Sequence, residues 1–218
     1  MSLHKTLLVG CVMLLSVAAY SSADYVAGQV WDFETMFSTS SNLGQQDSEG
    51  NTVWEYRYSN WDGGPASGGL MGAYHGWENP GTWQKTGDGN DGRIAPYYFQ
   101  SNSGWEQCAV LAWVAPMDGV VNVSISMTGR DGPNAALFNI WPGQATEYSE
   151  GDVWVNWSWS MDNLAVSQGD KIVFKMATWG PGTVNFSNAD MTVTLAPEPA
   201  TMSLLGIGGL LAVLRKRR

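Results

Sequence analysis

Between Asp24 and Ala196 apolar residues return at every second position and almost nowhere at the spacing of a helix face. A period of two sends successive side chains to opposite faces of an extended chain, so the pattern admits strands and little else. Val121, Val123, Ile125 and Met127 interleave with Asn122, Ser124, Ser126 and Thr128, which predicts a half-buried strand with a hydroxyl-rich outer face. Ile172, Phe174 and Met176 face inward between Lys171, Val173 and Lys175. Trp54, Tyr56 and Tyr58 share one face, with Glu55, Arg57 and Ser59 on the other. Val153, Val155, Trp157 and Trp159 alternate with Trp154, Asn156 and Ser158 and read as one further strand. Cys108 to Ala115 is apolar on both faces, the signature of a central strand.

Turn chemistry punctuates these runs at Pro116–Gly119, Gly129–Gly132, Ser167–Asp170 and Gly180–Gly182. Short strands with glycine-rich connections predict an all-β fold. The expected architecture is a single jelly-roll-like β-sandwich over 24–196, flanked by an N-terminal signal helix (1–23) and a short C-terminal hydrophobic helix within 197–218. The glycine-rich segment from Asp62 to Gly92 reads either as ordered surface loops or as partly mobile chain. Ala115 to Ile125, with its Pro-x-x-Gly turn, and Leu164 to Phe174, with its Gly-Asp turn, resemble the strand-launching turns of galactose-binding-like sandwiches of secreted bacterial proteins. That resemblance implies a β-sandwich and, for many of its members, a carbohydrate ligand.

Both chain ends point to export. His4 and Lys5, an apolar core from Thr6 to Ala19, and the small residues Ser21, Ser22 and Ala23 have the layout of a secretory signal peptide, which would use the Sec translocon. The apolar core runs on past Cys11, which argues against a lipoprotein signal ending there. Without Cys11, Cys108 is the sole cysteine, so no intramolecular disulfide forms and a buried inert thiol is expected. At the other end, Met202 to Leu214 is thirteen uncharged residues, about 20 Å as a helix against a hydrocarbon core of about 30 Å. This short plug suits a temporary anchor. Arg215, Lys216, Arg217 and Arg218 hold the terminus on the cytoplasmic side. Pro197, Glu198 and Pro199 stay outside, extended because each proline disfavours helix before it. Triplet, apolar stretch and basic finish in this order resemble the PEP-CTERM sorting signal of exported bacterial proteins. The resemblance implies an exosortase, a membrane processing enzyme, as partner, and a host that makes extracellular polysaccharide.

Six of the eleven Lys and Arg and all twenty Asp and Glu lie between Asp24 and Glu198, leaving that stretch at a net charge of −14. A surface so acidic excludes nucleic acid as a partner and fits solubility outside the cell and neutral sugars. All twelve tryptophans lie in the body. Indole stacks on sugar C–H faces while short polar side chains take the hydroxyls. Trp61 with Asp62, Trp77 with Asn79, Trp83 and Trp179 fall at strand ends or in loops and are the candidate carbohydrate-binding residues. Trp113, Trp157 and Trp159 are expected in the core. Asp88, Asn90 and Asp91 form a glycine-punctuated acidic loop offering the hard oxygen ligands of calcium, but without the full EF-hand pattern; a solvated turn is the other reading. His75, the body's only histidine, has no zinc-ligand or triad companions at a recognisable spacing. The sequence thus describes an exported, non-catalytic surface protein that binds carbohydrate, with a structural matrix protein lacking a small ligand as the alternative.

Overall fold

The computed structural model describes residues 25–59, 69–75, 82–84, 92–96, 98–101, 108–142, 148–178 and 183–197. The expected terminal helices lie outside them. The described chain is all-β. Its first half forms β1 (Val30–Asp32), β2 (Trp54–Ser59), β3 (Gly69–Leu70), β4 (Ala73–His75), β5 (Thr82–Gln84), β6 (Arg93–Ala95) and β7 (Tyr98–Ser101). Longer strands follow: β8 (Cys108–Val114), β9 (Gly119–Asp131), β10 (Ala136–Pro142), β11 (Tyr148–Val153), β12 (Trp157–Val166), β13 (Lys171–Thr178) and β14 (Val184–Leu195).

Two antiparallel sheets result. Among the described residues the large sheet has eight strands, ordered β12-β9-β14-β7-β6-β5-β4 with β1 also on β14, and the small sheet has six, ordered β11-β10-β13-β8-β2-β3. From β7 onward the chain crosses between sheets at every step except the β10–β11 hairpin. Each crossing lets a run bury one face, so the period-two pattern becomes a two-layer core. Val121, Val123, Ile125 and Met127 of the large sheet meet Phe138, Ile140, Ile172, Phe174 and Met176 of the small one. Aromatic rings fill the middle. Phe33 lies edge-on to Phe37, Trp54, Tyr56 and Phe99 at centroid distances of 5.8 to 6.1 Å, and Phe138 stacks on Trp157 at 4.3 Å. Such pairs add about 0.5–1.5 kcal/mol each beyond burial.

The predicted central strand is β8, flanked by β13 and β2, and Cys108 on it is fully buried. The Pro116–Gly119 and Ser167–Asp170 turns launch β9 and β13 and lock together. Gln168 N donates to Asp118 Oδ1 at 2.7 Å, and Ala115 N and Gly169 N close a backbone pair with Asp170 O and Ala115 O at 2.8 Å each.

One predicted strand is broken. The run from Val153 to Trp159 ends β11 in the small sheet, turns through Trp154, Val155 and Asn156, and starts β12 in the large one. Val155 is consequently 68% exposed instead of inward, because a bend between layers resets the face that each register presents.

Candidate functional site

The bend sits where β11 and β12, edge strands of the two sheets, come together. Trp157 keeps the inward register and is buried, Trp159 is half-buried against the core, and Tyr148 of β11 meets Trp159 at 5.6 Å. Trp154 stands outside this ladder at 55% exposure and Tyr148 at 42%. Among the eight tryptophans of the described residues, Trp154 alone is exposed.

Trp154 does not stand alone. The Arg130 guanidinium lies 5.0 Å from its ring centroid, a cation–π contact worth about 0.5–1 kcal/mol at an exposed site. Arg130 is itself fixed: Nη2 donates to the carbonyl of Gly132 at 3.2 Å and to that of Asn134. Its Nε is buried with no hydrogen-bond acceptor. The two glycines bracketing Arg130 are required by geometry. Gly129 has φ +65° and a Cβ there would lie 2.1 Å from Ser187 Oγ; Gly132 has φ +110° and its Cβ would lie 2.3 Å from Thr183 O. Gly129 N also donates to Asn156 Oδ1 at 3.2 Å, tying β9 to the bend.

The result is a rim at the bend carrying an indole face, a guanidinium and an amide, while Tyr148 lies at the other end of β11 against Trp159. The rim can stack on the apolar face of a ring and hydrogen-bond hydroxyls around it. Beside it, the outer face of the large sheet continues the polar surface in cross-strand rows: Ser158, Ser126 and Asp190 in one, Ser160, Ser124, Thr192 and Asp32 in the next. Burial, followed by the nearby Asp32 charge, holds the Asp190 carboxyl above the usual aspartate range.

Of the residues expected to bind sugar, Trp61, Asp62, Trp77, Asn79 and Trp179 lie outside the described residues, as do Asp88, Asn90 and Asp91 of the calcium loop. Trp83 is a correction. It is 7% exposed on β5, packs within the core, and donates Nε1–H to Ser38 O at 2.7 Å. Its ring lies 6.2 Å from that of Tyr56 within the core cluster, which leaves no indole face for a ligand. Among the described residues no three His, Cys, Asp or Glu form a group able to hold a metal ion. Trp154 and Tyr148 were missed. The available signal was that Trp154 falls in the polar register of an otherwise regular run, which a continuous strand would not favour.

At the opposite end of β14 the chain reaches Pro197, the last described residue, which is exposed. Glu198, Pro199 and the four terminal cations lie outside. Residues 195–218 match the PEP-CTERM protein-sorting motif. The chain carries a surface-sorting signal. The motif marks an exported protein, transiently anchored at its C-terminus and processed by an exosortase. No curated protein matches the sequence. Among solved structures, the chain is similar to the mannan binding module from Man5C (9% identity, 53% of this chain and 93% of that one, TM-score 0.33). It is also similar to TmCBM61 in complex with β-1,4-galactotriose (14% identity, 47% and 72%, TM-score 0.31) and to a family 29 carbohydrate binding module (12%, 64% and 88%, TM-score 0.27). Scores this low carry no argument about this chain.

Proposed function

We propose that this protein is an exported, non-catalytic module that holds neutral polysaccharide at the cell surface. The Sec translocon delivers it, residues 1–23 are removed, and the 24–196 body binds glycan at the rim formed by Trp154, Arg130 and Asn156, with Tyr148 farther along β11 as a second exposed ring. The observation that carries this reading is Trp154: 55% exposed, backed by an arginine that the Gly132 and Asn134 carbonyls hold in place. The contact with Arg130 leaves much of so large an apolar ring in water, and a sugar face gives it a partner. The acidic body supports a neutral ligand over an anionic one.

Affinity electrophoresis of the secreted protein through gels containing neutral polysaccharides tests the reading. Retardation is expected, and Trp154→Ala and Tyr148→Ala should each weaken it about ten-fold or more, the size of a stacking contact. Migration unaffected by any polysaccharide, or retardation that survives both changes, overturns it. Trp61, Asp62, Trp77, Asn79 and Trp179 enter the same scan, and repeating it with a chelator tests calcium at Asp88, Asn90 and Asp91. The second reading, a structural surface protein without a small ligand, is favoured by the packing of the seven other described tryptophans in or against apolar clusters. An absence of retardation would support it.

A further inference from the structure

The sorting motif is joined to the folded body without a linker. Its match begins at Leu195, whose N–H donates to Gln29 O at 2.8 Å and whose carbonyl accepts from Gly28 N at 2.9 Å. Ala196 N donates to Val120 O at 2.8 Å. The first residue of the Pro-Glu-Pro triplet therefore follows directly on the last backbone hydrogen bond of β14. Pro197 also lines a groove of about 220 Å³ together with Tyr25, Ala27, Met117, Gly119, Leu195 and Ala196.

The walls of this groove are built. Tyr25 donates its hydroxyl to Asp47 Oδ2 at 2.5 Å, accepts from Asn51 Nδ2 at 2.6 Å and lies edge-on to Trp31 at 5.5 Å. Burial and the Asp47 hydrogen bond push its pKa up to about 12, so the wall stays neutral. Met117 is a deformable thioether. Around the apolar walls stand carboxylates: Asp118, exposed between two lining residues, with Asp47 and Glu49 near Tyr25.

Five residues lie between Ala196 and Met202, where the apolar segment starts, so the six steps reach about 20 Å at full extension. Gripping Pro197 brings an enzyme surface against the groove, unless β14 unzips from β1 and β9. Anionic lipid headgroups would be repelled by the rim, so the membrane itself is a poor occupant. We infer that this groove is a docking site for the membrane-embedded processing enzyme, which seats an apolar side chain between Tyr25 and Met117 and presents basic residues to Asp118. Recognition of the substrate then has two parts, the triplet and the pole of the sandwich from which it emerges.

The test uses the full chain in a bacterium that processes it, with conversion to the trimmed form followed by pulse-chase. Ala27→Glu and Met117→Glu place charge in the apolar walls and should slow conversion about ten-fold. Val155→Glu, on the distant bend, should leave it unchanged. A flexible ten-residue Gly-Ser insertion between Ala196 and Pro197 detaches the triplet from the groove, at the effective-concentration cost of a longer linker (about ten residues). It should also slow conversion, and the wall charges should then add nothing. Protease resistance of each body confirms that it is folded. Conversion at the unaltered rate in the wall-charge variants, or in the insertion variant, overturns the proposal.

Discussion

The two outer faces of the sandwich arise from one alternating pattern and end in opposite states. On the large sheet the outward register is Ser124, Ser126, Ser158 and Ser160, all exposed. On the small sheet it is Cys108, Val110, Ala112, Leu137, Trp141, Val173 and Ala177, all buried in a second apolar cluster. Lys175 lies within that face, 1% exposed, with its ammonium 4.8 Å from the Trp141 centroid. Nearer the β2 edge, Glu55 accepts from Arg57 at 2.7 Å and from Lys171 at 2.8 Å. Three of the six cations between Asp24 and Glu198 thus sit on one face of one sheet. The difference teaches that alternation specifies which residues share a face and does not specify whether that face is open to water.

The contrast can be broken most severely at Val173. Val173→Asp puts a carboxylate at the centre of the closed face and should cost about 4 kcal/mol or more, seen as loss of the cooperative unfolding transition. A pH effect comes next, on the open face. The Asp190 carboxyl is held up first by burial and then by Asp32 and Glu34. On acidification the folded protein therefore takes up this proton before the unfolded chain does. Stability from this group is present below the ordinary aspartate pKa and is lost as pH rises through the raised one. Asp190→Asn should flatten the dependence of the urea midpoint on pH across that window and raise the midpoint at neutral pH; a parallel curve would refute the assignment. Ser126→Ala and Ser158→Ala should be smallest, within about 0.5 kcal/mol in urea titrations. A larger loss would mean that the serine face is not simply solvated.

The inner core was legible because it depends on local order along the chain. Val121 to Met127, Ile172 to Met176 and Cys108 to Ala115 each declare a face or a central position, and the turns at Pro116–Gly119 and Ser167–Asp170 declare where strands begin. The rim was not legible, because Trp154 owes its exposure to a bend between layers, and periodicity says nothing about where a strand changes sheet. Trp83 was misplaced for a related reason: its strand is three residues long and sits in glycine-rich sequence where no alternation accumulates. The contact of the buried Lys175 with Trp141 joins two strands, which no local window contains. The pole beneath Pro197 depends on β1 pairing with β14, a contact between opposite ends of the body that no local window contains.

That same pairing has a mechanical consequence. While the tail is anchored, any tug on the surface layer is transmitted through Ala196 straight down the length of β14. That strand is bonded to β1 and β7 on one side and to β9 on the other, so a pull along its axis loads both ladders in shear. A tether leaving from an edge strand would be held by one ladder; this one is held by a ladder on each side.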